Sequence, residues 1–93
     1  MKSIMPKDNL WETERFTGSH RHEVFFGTAN RKLSIEDGLF VYLKPELHNM
    51  SDKGVHVNKQ FREYMQKKGQ IAWQEHYNKT ESDFIKRYGK SYL

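Results

Sequence analysis

Apolar positions fall in two different rhythms along this chain. At Val24-Phe25-Phe26 and at "LFVYL", residues 39 to 43, short unbroken runs of β-favouring residues lie between turn-forming residues, which predicts two strands. The first is preceded by Thr17-Gly18-Ser19 and ends near Gly27, so His20 and His22 stand at its entry. Between the runs, "GTANRKLSIEDG" begins and ends with glycine and reads as a loop holding one helical turn around Leu33 to Glu36. Pro45 fits the first turn of a helix, so "PELHN" predicts a short one with His48 near its end, and "MSDKG" a loop after it.

From Val57 the rhythm changes. Val57, Phe61, Tyr64, Met65, Ile71, Ala72 and Tyr77 recur near the helical period with Lys, Arg, Gln and Glu between them, predicting a long helix to about Tyr77. Gly69 inside it costs about 1 kcal/mol relative to alanine, which points to close packing against a neighbour. Thr80 followed by Asp83 is a capping-box variant that opens a final short helix through Phe84 and Ile85 to a stop at Gly89.

Residues 1–14 show no periodicity and contain Pro6 and an Asp8-Asn9 pair, which reads as a weakly ordered arm, pinned where Leu10 and Trp11 reach the core. The remaining residues, 15–93, make one domain. Two strands do not form a stable sheet alone, so the expected architecture is α+β: a hairpin laid on the long helix, with a short C-terminal helix.

Composition narrows the chemistry. At 93 residues, 35% hydrophobic but 14% aromatic, the chain can build one modest core from a few large side chains. There is no cysteine, which excludes disulfides and thiolate zinc sites and leaves imidazole, carboxylate or amide groups as metal ligands. The start "MKSIMPKDNL" has no secretory apolar run, and no window approaches the ~20 apolar residues of a membrane span, so a cytosolic location without membrane contact is expected. The net charge of +4 suits an anionic partner such as nucleic acid.

The histidines carry the candidate chemistry. His20, His22 and Glu23 stand at the entry to strand one, His48 follows strand two, and His56 lies where the long helix begins. In a ββα arrangement the start of strand one and the start of the helix face one another, so His22, His48 and His56 would point into one cleft. Neutral imidazoles suit zinc, nickel or iron, while an added carboxylate and open positions admit magnesium or manganese.

"HRHEVFFGTANRK", "GLFVYLKPELHN" and "GVHVN", in that order, resemble the three successive parts of an HNH (ββα-metal) endonuclease motif, in the version found in small phage and prophage proteins. "FIKRYGKSYL" resembles the C-terminal end of that group, and the resemblance spans roughly residues 14 to 93. It implies a metal-dependent endonuclease that hydrolyses phosphodiester bonds of DNA in a bacterial host cell. His22 and Glu23 would then be the catalytic residues, one as general base and the other as a ligand of a divalent Mg, Mn, Ni or Zn ion completed by His48 and His56. Asn30 or Asn49 would take the orienting asparagine role, and Arg21, Asn30, Arg31 and Lys32 would contact DNA.

Two departures from that group open a second reading. Many relatives carry paired cysteines for a structural zinc, and many have two adjacent histidines or Asp-His where this chain has His22-Glu23. A catalytically impaired HNH-like scaffold that binds and regulates another nuclease, for example a phage protein of anti-CRISPR type, fits the same residues. A plain DNA-binding accessory domain using the basic loop and the long helix is a third.

Overall fold

The computed structural model describes residues 1–48 and 58–93. The expected loop at 50–54, the start of the long helix at Val57, and the candidate residues Asn49 and His56 lie outside the described residues. The elements are β1 (His20–Glu23), α1 (Thr28–Asp37), β2 (Phe40–Leu43), α2 (Pro45–His48), α3 (Lys59–Tyr77) and α4 (Glu81–Tyr88). The strands form a two-stranded antiparallel sheet with His20 opposite Leu43 and Glu23 opposite Phe40, so the fold is α+β as expected.

Three expectations are corrected. Strand one is His20–Glu23 rather than Val24–Phe26, so the histidines belong to the strand itself. Val24 still donates its amide to Leu39, but the amide of Phe25 goes to the Ser34 hydroxyl, and both side chains turn fully into the core. Their adjacent burial is what gave the run its strand-like look.

The strands are joined by a ten-residue helix, not a loop with one turn, and so do not form a hairpin. Glycines at each end of "GTANRKLSIEDG" are its boundaries: Gly27 precedes the first turn, and Gly38 closes the last in the left-handed conformation at φ 77°. A helical apolar period is missing because the inward positions Asn30, Ser34 and Asp37 are polar and are satisfied by hydrogen bonds. The Ser34 hydroxyl donates to the Leu39 carbonyl while receiving the Phe25 amide, tying the helix to both flanking segments.

Asp37 is the most heavily bonded of these. Its carboxylate accepts from the Trp73 indole at 2.9 Å, the Tyr88 hydroxyl at 2.7 Å and the Arg87 guanidinium at 2.6 and 2.8 Å. Tyr77 donates to its backbone carbonyl at 3.0 Å. Burial, and then the bond to Asp37, push the Tyr88 hydroxyl far above the ordinary tyrosine range, so it remains a donor. The same carboxylate holds the Arg87 pKa above its usual value.

The third correction concerns α3. Its inward stripe is Met65, Gly69, Gln70 and Trp73, with Phe61 and Tyr77 half-buried, whereas Tyr64 and Ile71 are exposed. The helix starts at an Asn58 cap, whose side chain accepts the Phe61 amide. A Cβ on Gly69 would meet Val24 at 2.8 Å and Phe25 at 3.2 Å, so the glycine admits the segment after β1. α4 has the expected Thr80–Asp83 capping box and a left-handed Gly89. Its Phe84 and Tyr88 pack with Phe25 and Trp73, with ring centroids 4.9 to 5.4 Å apart for Phe25–Phe84, Phe25–Tyr88 and Trp73–Phe84.

Residues 3–12, expected as a weakly ordered arm, lie against this body. Ile4 donates to the Gly38 carbonyl, Met5 and Trp11 are buried, and Glu12 exchanges both backbone hydrogen bonds with Tyr42. Trp11 reaches the core as expected; Leu10, at 42% exposure, does not. No helix of the described residues is long and apolar enough to cross a membrane.

Replacing Asp37 with alanine leaves Trp73, Tyr88 and Arg87 donors without their acceptor and is expected to lower unfolding stability by about 2–4 kcal/mol. Glu36→Gln, which alters only the half-exposed outer contact of Arg87, is expected to cost under about 0.5 kcal/mol. Urea midpoints measure both, and equal losses would contradict the central place given to Asp37. Gly69→Ala improves helix propensity yet overpacks Val24 and Phe25, so its melting temperature is expected to fall rather than rise.

Candidate functional site

Side chains alternate across a strand, and the corrected position of β1 decides which candidates meet. His20 and His22 share the face of Leu43 and Val41, whereas Arg21 and Glu23 share the face of Tyr42 and Phe40. On the first face His22, Val41 and Leu43 are buried while His20 is exposed; on the second Glu23 and Phe40 are buried while Arg21 is exposed.

α2 completes the group of imidazoles. It starts at Pro45 directly after β2 and turns His48 back over β1. The His48 ring lies 5.4 Å from His20 and 5.3 Å from His22, edge-on to both. His22 is only 2% exposed, its Nε2 enclosed, with the Phe26 ring at 5.8 Å.

The Nδ1 atoms of His20 and His48 are 3.3 Å apart. This spacing has two chemical readings. One ring can donate an N–H to the other, or both can turn lone pairs toward one cation. Two nitrogens bound at 2.0–2.1 Å to a tetrahedral ion stand ~3.3–3.4 Å apart, so the pair needs little rearrangement to chelate. Among the described residues no group of three His, Asp or Glu side chains is spaced to hold an ion. The described part therefore offers His20 and His48 as a pair, with His22 beside them.

Glu23, expected as a catalytic residue and ligand, faces the other way. It is buried and accepts from Arg31 Nε at 2.7 Å and Arg21 Nε at 3.3 Å. Its lone pairs answer two guanidinium groups across the sheet from the imidazoles. His22 and His48 are brought together as expected; His56 lies outside the described residues.

The expected DNA contacts divide in the same way. Arg21 and Arg31 gather around Glu23, and Arg21 also lies over the Phe40 ring at 5.9 Å. Asn30 donates to the Tyr88 carbonyl at 3.2 Å, tying α1 to the end of α4, and Lys32 is exposed. His20, left out of the expected ligand set, is exposed but lies beside His48, and the His-x-His spacing carries that signal once the strand is placed over it.

No protein-family model matches the chain, and neither a curated protein nor a solved structure matches it.

Glu23→Gln keeps the shape of the carboxylate contact but removes its charge, and a loss of about 1 kcal/mol in stability is expected, limited because both arginines are partly exposed. Calorimetric titration with zinc or nickel is expected to give the same affinity as the parent chain. A tenfold weaker affinity would return Glu23 to the ligand set.

Proposed function

We propose that this chain is an HNH-like, metal-dependent DNA endonuclease with its ion held by His20 and His48 and completed by His56. The observation that carries this reading is the 3.3 Å separation of the His20 and His48 Nδ1 atoms beside the enclosed His22 ring. A donor set of imidazoles fits zinc or nickel, and open positions filled by water and phosphate oxygens would admit magnesium or manganese. When bound, the ion supplies charge neutralisation for the scissile phosphate and its leaving oxygen.

The chain's own groups supply the rest. A ring nitrogen of His22 accepts the proton of the attacking water, because Glu23 is engaged by Arg21 and Arg31 on the opposite face. The protein surroundings of His22 fix its ring orientation, with the Phe26 and His48 rings both packed near it. The net charge of +4 favours encounter with a polyanion, and exposed Lys32, together with the outer parts of Arg21 and Arg31, offers backbone contacts.

One observation favours a second reading, the catalytically impaired HNH-like scaffold that regulates another nuclease. A base must reach water, and His22 is nearly closed from solvent while Glu23 is neutralised by two arginines. In that case the chain forms one stoichiometric complex with a nuclease and does so equally in chelator.

The deciding assay is nicking of supercoiled plasmid with Mg, Mn, Ni or Zn, with and without EDTA. Cutting is expected only with metal, and His22→Ala, His48→Ala and His56→Ala are each expected to reduce it by about 100-fold or more. Undiminished cutting by His22→Ala and His56→Ala would refute these roles. No cutting under any metal, with a stable nuclease complex in EDTA, would establish the scaffold.

A further inference from the structure

The sheet face that carries Arg21, Glu23, Phe40 and Tyr42 alternates charged groups with aromatic rings. The Arg15 guanidinium lies over the Tyr42 ring at 5.7 Å, Tyr42 stands opposite Arg21 in the strand register, and Arg21 lies over Phe40. Beyond Phe40, Glu23 draws in Arg31. Three guanidinium groups are thus strung along one face, with the half-buried Tyr42 ring and the buried Phe40 ring between them, an order that suits successive backbone phosphates with Tyr42 as the accessible ring.

At the Arg15 end this face opens into a cleft of about 430 Å³ between residues 9–16 and the β2–α2 junction. Trp11, Phe16, Tyr42 and Leu47 give it aromatic and aliphatic walls, and Arg15 and Lys44 add positive charge. Its size is that of a small-molecule site and far below what a duplex needs. Glu12 and Glu14 also line it; their carboxylates repel phosphate but accept hydrogen bonds from exocyclic amino groups of bases. Leu43 lines the cleft and is the register partner of His20, while Leu47 adjoins His48, so cleft and imidazoles share one end of the sheet.

We propose that this cleft receives an unpaired base of a DNA strand, with the flanking phosphates on Arg15 and Lys44, so that the substrate is single-stranded or locally unpaired DNA. The choice of DNA rests on the nuclease reading; the preference for an unpaired strand rests on the cleft. Its walls reward a base only when that base has left its stack, which a single strand does at less cost than a duplex.

The test is fluorescence anisotropy of a labelled mixed-sequence oligonucleotide and of its duplex with the full chain in EDTA, where no metal-dependent cutting intervenes. The single strand is expected to bind about tenfold tighter or more than the duplex, and Arg15→Gln and Lys44→Gln, both at exposed positions, to weaken it by about fivefold or more each. Addition of the oligonucleotide is also expected to shift the Trp11 indole and Leu47 methyl NMR signals. Equal affinity for strand and duplex, or unchanged binding in both variants, would overturn the proposal. So would shifts of those signals with protein concentration alone, which would make a second copy of the chain the occupant. Strand binding without any plasmid nicking leaves this inference standing and removes only the nuclease.

Discussion

A carboxylate that folding removes from water must be surrounded by donors, and Asp37 meets that demand from two other helices at once. Trp73 reaches it from α3, and Arg87 and Tyr88 reach it from α4, while Tyr77 binds the carbonyl of the same residue. Apolar contact alone would let these helices slide; directed bonds to one acceptor fix their rotation and height. The position of Asp37 also matters. Gly38 and Leu39 follow it directly, so the point that locks the helices also sets where β2 begins.

Around that point the core is largely aromatic. Phe25, Trp73, Phe84, Tyr88 and Tyr92 supply much of the buried surface in a short chain, and the buried Gln70 holds Tyr92 in place through its backbone amide at 2.6 Å. Gln70 also donates to Ser91, which in turn donates to Glu81. Polar residues thus do the orienting at three places where a sequence pattern leads one to expect only apolar contact: Ser34, Asp37 and Gln70.

That division explains what the sequence revealed and what it hid. The capping box at Thr80, the stop at Gly89 and the start at Pro45 were legible because each depends on local backbone chemistry, and the close approach at Gly69 because a glycine inside a helix needs a packing reason. α1 was hidden because Asn30, Ser34 and Asp37 face inward and are satisfied by hydrogen bonds, those of Asn30 and Asp37 to partners distant in sequence, which no periodicity records. Strand one was displaced because Val24 and Phe25 are buried side by side without pairing in a ladder. The displacement carried into the site: His48 was placed rightly beside His22, but the exposed His20 was not paired with His48 and Glu23 was put with the imidazoles. A shift of the strand onto His20–Glu23 separates odd from even positions and sends Glu23 to the arginines.

The helical link between the strands bears on how the molecule assembles. A tight turn would let β1 and β2 zip from a local start, whereas here α1 intervenes and the chain loses loop-closure entropy before the first rung forms. The rung nearest that link is Glu23 with Phe40, and the one farthest from it is His20 with Leu43, where the imidazoles meet. The ladder's open end is thus where fraying would begin, and under the proposed function a cation gripping His20 and His48 would act there as a clasp, converting its own affinity into resistance of the whole sheet to unzipping.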